Sequence, residues 1–388
     1  MTVTAPKGFR AAGVKAGLKA SGNPDLALVV NDGPSKGAAA VFTSNRVAAA
    51  PVHWSRQVVK DGRVDAVVLN SGGANACTGP QGFQNTHATA EKTAEVLGVS
   101  ATDIFVCSTG LIGEQLPMDK IIPAISAAKS ALSADGGPAA ATAIMTTDSV
   151  SKEAVFTGKD AEGNEYTIGG MAKGAGMLAP GLATMLVVIT TDAEVQPEML
   201  DVVLRDATRV TFDRADSDGC MSTNDTVVLL ASGASGAVPA ARDFGAGLTQ
   251  VCAELARKLI GDAEGASHDI AIRTFNAASE KEAEIVSRAV ARSNLFKAAI
   301  FGKDPNWGRV LSAVGTTDAA FEPDRLNVSM NGVQICRDGS IGDDRSLVDL
   351  EPREVLVEID LQAGEAEATI WTNDLTHDYV HENSAYSS

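Results

Sequence analysis

Residues 173–193 read KGAGMLAPGLATMLVVITTDA, and their character changes abruptly at the bond between Ala183 and Thr184. Ahead of that bond the chain is small and bendable, with Gly174, Ala175, Gly176, Ala179, Pro180 and Gly181. Behind it comes Met185-Leu186-Val187-Val188-Ile189, an apolar, β-branched run that suits a strand buried on both faces. A threonine at such a junction is by default a strand opener and nothing more. It gains chemistry if the bond before it is cut. Thr184 would then carry a hydroxyl and a free α-amine, and the amine could act as base for its own hydroxyl. An α-amine titrates at about 7.7–8.0, so the unprotonated base is available near neutral pH. No Ser-His-Asp constellation is legible in the chain, and this arrangement needs none.

Acyl chemistry also requires donors fixed where charge develops on the carbonyl oxygen. Residues 107–113 (CSTGLIG) follow a strand-like run with a turn-prone segment, so the backbone N–H groups of Thr109 and Gly110 are the candidate oxyanion hole. The local alternative is that Thr-Gly simply ends a strand. A different chemistry is suggested by residues 174–179, GAGMLA, which fit the Gly-x-Gly-x-x-Gly/Ala dinucleotide fingerprint, with Asp192 or Glu194 downstream. That fingerprint must open a helix. Here Pro180 and Gly181 stop any helix after one turn and a strand begins by Thr184, so a dinucleotide-binding oxidoreductase is only the weaker alternative.

The elements that must position these residues lie in a chain of 388, long enough for two lobes. Its 45% hydrophobic and 21% charged content is ordinary for a globular protein, and 37 glycines with 4% aromatics imply tight turns and small packed side chains. A net charge of −17, without a Lys/Arg stripe, argues against nucleic acid as a partner. No run reaches the length of a membrane span, and the amino-terminal MTVTAPKGFRAAGVKAG has no apolar core of a secretory signal, so a cytoplasmic location is expected. Five scattered cysteines fit reduced thiols, and five scattered histidines lack ligand spacing, so no metal is expected.

Strand patterns fall at 26–30, 39–44, 65–71, 103–109, 226–230 and 269–273, and a hairpin at 153–157 and 165–170 leads into the central stretch. Helical periodicity marks 81–97, 197–212, 244–260 and 279–296, with another helix after Pro117 in which Pro123 is tolerable only in the first turn. Residues 134–141 read as a loop or a frayed helix start, and 326–336, 355–361 and 367–372 as a β-rich end. The mixture predicts α/β or α+β layers with helices covering sheets.

Several blocks in this order resemble the ornithine acetyltransferase, or bifunctional glutamate N-acetyltransferase, family. They are the VFTSNR of residues 41–46, NSGGANACTG of 70–79, the Thr-Gly after a strand, and IMTTD of 144–148. KGAGM from Lys173, ATML from Ala183, STNDTV of 222–227, DPNWGR of 304–309 and the end from Asn383 to Ser388 complete the set, covering nearly the whole chain. The resemblance implies a layered αββα-type sandwich, shared with N-terminal-nucleophile aminopeptidases. It also implies a precursor that cuts itself between Ala183 and Thr184 into an α chain (1–183) and a β chain (184–388), assembled as an α2β2 heterotetramer. Acetyl would pass by a ping-pong route from N-acetylornithine to Thr184 and then to glutamate, in arginine biosynthesis, without a cofactor. The resemblance leaves open whether acetyl-CoA also serves as donor.

Carried over position by position, the oxyanion hole falls on Thr109 and Gly110, and the substrate contacts on Thr147, Lys173, Thr184, Glu264, Asn383 and Ser388. The types suit an amino-acid substrate: Lys173 can pair with a carboxylate and Glu264 with an amine. Thr147, Asn383 and Ser388 offer orienting hydrogen bonds. An aminopeptidase or amidohydrolase of similar fold would use the same threonine but pass the acyl group to water.

Overall fold

Continuous runs of small and β-branched residues become strands covered on both faces. The computed structural model describes residues 2–176 and 185–385. These fall into two units: one takes the described residues up to Asp213 together with Met221–Asp262, the other Arg214–Cys220 and those from Ala263 onward.

The first unit holds two sheets. One has β1 (Phe9–Val14), β2 (Leu26–Asn31), β4 (Ala66–Ser71) and β5 (Ile104–Thr109), in the order β1-β2-β4-β5. The other has β3 (Gly37–Phe42), β6 (Lys152–Lys159), β7 (Glu165–Lys173), β8 (Leu186–Thr191) and β9 (Thr226–Ala231), in the order β3-β9-β8-β7-β6. β2, β4, β5, β8 and β9 are buried along their whole length. Alternation along each strand sends successive side chains to opposite faces. Val67, Leu69 and Phe105 thus meet Met171, Leu186, Val188, Val228 and Leu230 between the sheets. On the outer face of the first sheet Val68, Ile104 and Val106 pack with α2 (Gly79–Leu97) and α3 (Met118–Ser130) through Ala90, Ala94, Ile121 and Ile125. The second sheet is covered by α5 (Pro197–Arg209) and α6 (Ala241–Gly261). The layers run helix, sheet, sheet, helix, as expected. α1 (Ala50–Val58) is tied to β5 by Ser55, whose hydroxyl donates to Val106 O at 2.8 Å, and α4 (Gly137–Ala143) sets Ala140 and Ala143 into the inter-sheet core.

The second unit is one sheet of β10 (Asp269–Ala277), β11 (Asn327–Met330), β12 (Val333–Arg337), β13 (Ser340–Ile341), β14 (Glu354–Asp360) and β15 (Ala366–Asn373), ordered β13-β12-β11-β14-β10-β15. α7 (Glu280–Ala291), α8 (Asn294–Phe301) and α9 (Trp307–Val314) cover one face, with Val286, Val290, Phe296, Ile300 and Val310 against Ile270, Ile272, Val357 and Ile370.

Three expectations need correction. The helix expected over 279–296 is two, because Ser293 leaves the helix and its hydroxyl accepts the Phe296 N–H at 3.3 Å, capping α8. The strand expected over 326–336 is a hairpin: Asn331 and Gly332 both take positive φ (45° and 83°) and turn the chain between β11 and β12. Pro123 sits in the second turn of α3, not the first. It is tolerated there because it faces solvent, where the Asp119 carbonyl it leaves without a partner can meet water. Residues 134–141 resolve into a turn followed by α4. β1, α1 and α9 were not apparent from the sequence pattern.

Candidate active site

β5 ends at Thr109, and the chain leaves the sheet through a tightly fixed turn. The Thr109 carbonyl accepts N–H bonds from Gly72 at 2.8 Å and Gly73 at 3.0 Å. Gly110 takes φ 132°, and a Cβ there would lie 2.5 Å from Gly73 N, so only glycine fits. The neighbouring turn is itself pinned: Ser108 Oγ donates to Asn70 Oδ1 at 2.6 Å, and Asn70 Nδ2 donates to Gly73 O at 3.0 Å. Thr109 and Gly110 therefore have the rigid backbone that a set of oxyanion donors requires.

Lys173 closes β7, fully buried, with its ammonium 3.3 Å from Thr109 Oγ1 and 4.0 Å from Asp148 Oδ2. Asp148 is the hub of this region. Its carboxylate accepts the N–H of Gly174 at 2.6 Å and of Thr146 at 2.9 Å, and pairs with the buried Lys152 at 2.6 Å. Lys152 also pairs with Asp262 at 2.5 Å. Burial alone would push the Asp148 carboxyl up, but the ammonium groups of Lys173 and Lys152 and the Thr146 N–H outweigh it and hold the group at about 2. Thr147, half-buried, stands in the bend that this carboxylate shapes. One carboxylate thus bonds the residues next to the two predicted substrate contacts, Thr146 beside Thr147 and Gly174 beside Lys173.

A second buried acid marks the start of β8. Asp225 accepts the N–H of Met185 at 3.1 Å and of Ser222 at 3.1 Å, while Thr226 N–H donates to Met185 O at 3.0 Å. Complete burial raises the Asp225 carboxyl well above the usual carboxylate range, against the pull of those N–H groups and of Lys173. Met185 directly follows the predicted nucleophile, so the chain is held firmly from its next residue onward.

In the second unit, Glu264 is buried and Asn383 lies exposed on α10 (His377–Ala385), its Nδ2 donating to Tyr379 O at 3.0 Å. The Glu264 loop and this helix are joined: Thr376 Oγ1 donates to Gly265 O at 2.6 Å, and the charge of Glu264, after burial and Asp218, helps raise the Tyr379 phenol. Ala183 and Thr184, the residues expected to flank the cut, and Ser388 lie outside the described residues. The structure therefore groups Thr109, Gly110, Thr147 and Lys173 in one unit and Glu264 with Asn383 in the other. Asp148, Lys152 and Asp225 were missed by sequence reasoning; the signal was an acid inside two quoted blocks, TTD and STNDTV. Among the described residues no group of three or more His, Cys, Asp or Glu side chains is placed to hold a metal ion.

Four layers, with a buried lysine and carboxylate beside a fixed Thr-Gly strand end, define an α/β protein with a preorganised polar site at its sheet ends. The chain belongs to the ArgJ family, whose profile matches residues 10–388. It is 66% identical to the arginine biosynthesis bifunctional protein ArgJ of Streptomyces coelicolor and 64% identical to ArgJ 1 of Streptomyces clavuligerus, in each case across 100% of both chains. Among solved structures, the ornithine acetyltransferase of Mycobacterium tuberculosis, complexed with ornithine, is 54% identical over 48% of this chain and 96% of its own, with a TM-score of 0.44.

Proposed function

We propose that this chain is a self-processing acetyltransferase of arginine biosynthesis that moves acetyl from N-acetylornithine to glutamate. Membership of the ArgJ family supports the pathway and the bifunctional class. The observation that carries the mechanism is the meeting of Lys173 with Thr109 at 3.3 Å, on the strand that leads into the Ala183–Thr184 segment. A cation for the substrate carboxylate and a fixed Thr-Gly backbone then share one buried site.

In the first stage the Thr184 hydroxyl attacks the Ala183 carbonyl. The C–N bond breaks as the C–O bond forms, so the peptide becomes an ester and the Thr184 nitrogen, taking up the hydroxyl proton, becomes a free amine; water then hydrolyses the ester to a new carboxyl end at Ala183 and the free Thr184 hydroxyl. In the second stage that amine takes the hydroxyl proton as the oxygen attacks the acetyl carbonyl of N-acetylornithine. The oxyanion is held by the Thr109 and Gly110 N–H groups, and ornithine leaves with the proton. The amine of glutamate then attacks the acetyl ester, giving N-acetylglutamate and the free hydroxyl. Lys173 and Thr147 hold the amino-acid substrate, Glu264 meets its amine, and Asn383 and Ser388 orient it. No cofactor enters; acetyl-CoA would act as an alternative donor. The fragments remain together as an α2β2 assembly in the cytoplasm.

Incubation of the purified protein with N-acetylornithine and glutamate should yield equimolar ornithine and N-acetylglutamate, with parallel double-reciprocal lines. Release of acetate without N-acetylglutamate would favour a hydrolase instead.

A further inference from the structure

Four charged side chains of the first unit form a line inside it. Lys173 lies 4.0 Å from Asp148, Asp148 pairs with Lys152 at 2.6 Å, and Lys152 pairs with Asp262 at 2.5 Å. The first three side chains are at most 2% exposed and that of Asp262 10%. Two ammonium groups balance two carboxylates, which is what makes their burial tolerable. The contacts are unequal. Lys152 donates hydrogen bonds to both carboxylates, and the Gly174 N–H takes the same Asp148 oxygen as Lys152, at 2.6 Å. Lys173 stands at the distance of a charge pair without a hydrogen bond to that acid. Its other neighbours do not replace Asp148. The Thr109 hydroxyl from β5 is neutral, Lys19 from the loop between β1 and β2 repels it, and Asp225 before β9 is held toward its neutral form by complete burial.

We propose that Asp148 and Lys152 are positioning residues for the substrate carboxylate: Asp148 keeps Lys173 an ammonium, and Lys152 holds Asp148 short of a full ion pair with it. Asp262 anchors Lys152 from the far side, so the pull of Asp148 is divided between two cations. The charge of Lys173 is thereby balanced without being closed off by Asp148. This inference rests on the assignment of Lys173 to a substrate carboxylate under the proposed function, and adds what sets the charge of that lysine.

The test measures kcat/KM for N-acetylornithine against pH in the parent, Asp148→Asn, Lys152→Met and Asp262→Asn, with melting temperatures on the same samples. The alkaline limb of that profile reads loss of the Lys173 proton. The substrate's own ammonium titrates identically in all four, so a difference between limbs belongs to the protein. Asp148→Asn should move the limb down by about one pH unit or more, because a negative charge 4.0 Å from Lys173 is lost. Lys152→Met should move it up by about half a unit or more, because Asp148 then faces one ammonium instead of two. Asp262→Asn, at the less buried end, should move it down by less than Asp148→Asn. Shifts of opposite sign from variants that all lower melting are beyond a purely structural role. Limbs that stay at the parental position, or that all move the same way, overturn the proposal. Where a fully buried variant does not fold, the remaining variants decide by the same signs. Lys173→Ala with both KM values unchanged overturns the carboxylate assignment together with this inference. A raised KM in Lys173→Ala with unmoved limbs in the other variants overturns this inference alone.

Discussion

At the scale of single residues, Asp148 and Asp225 are two buried acids pushed in opposite directions, and the difference lies in their neighbours. Asp148 faces two ammonium groups, whereas Asp225 faces mainly N–H groups, with Lys173 acting from a distance. Because the folded carboxyl of Asp148 titrates at about 2, below its unfolded value, its charge stabilises the fold above about pH 4 and that contribution is lost as pH falls toward about 2. Asp148→Asn should therefore be less stable than the parent at neutral pH by about 2 kcal/mol, with the gap closing toward about pH 2 in denaturant titrations. For Asp225 the expectation differs. Asp225→Asn turns an NH2 group toward the N–H of either Met185 or Ser222, leaving a buried donor unmet and lowering the guanidinium midpoint by about 1–3 kcal/mol in stability. Lys173→Ala should raise the KM for the substrate whose carboxylate it holds by about ten- to hundredfold, read in a two-substrate series. An unchanged KM for both glutamate and N-acetylornithine would remove Lys173 from that role.

At the scale of elements, the strands were legible wherever both faces are buried. The apolar runs at 26–30, 65–71 and 226–230 match β2, β4 and β9 within a residue or two, because layers on both sides demand unbroken hydrophobicity. What stayed hidden was set by single hydrogen bonds or by packing. β1 carries Arg10 and Gly13 and is held as a strand by pairing with β2, which no periodicity announces. The break at Ser293 depends on one cap, so Ser293→Ala should cost about 1 kcal/mol in thermal or denaturant unfolding. The candidate site was legible in part. Thr109, Gly110, Thr147 and Lys173 were named as candidates through motif order, but the carboxylate beside Lys173 was not, since nothing in the spacing of TTD says which of its members turns inward. Gly110→Ala should disrupt both stability and transfer, because its added Cβ would press on Gly73 N.

At the scale of the whole molecule, the predicted cut does not separate the two units. It falls between β7 and β8, neighbours in one sheet whose order is β3-β9-β8-β7-β6. Strands β3, β7 and β6 belong to residues 1–183 and strands β9 and β8 to 184–388, so the two fragments interleave within a single sheet. The backbone ladder from β7 to β8 and from β9 to β3 joins them without a covalent link. The fragments should co-elute under native conditions and part only in denaturant. The most direct measurement is the mass spectrum of the denatured protein before and after N-acetylornithine. The account predicts two fragments, the smaller-numbered ending at Ala183 and the other beginning at Thr184, with only the second gaining one acetyl group and Thr184→Ala giving a single uncut chain that gains none. An intact chain that still transfers acetyl, or an acetyl group found elsewhere than Thr184, would contradict it.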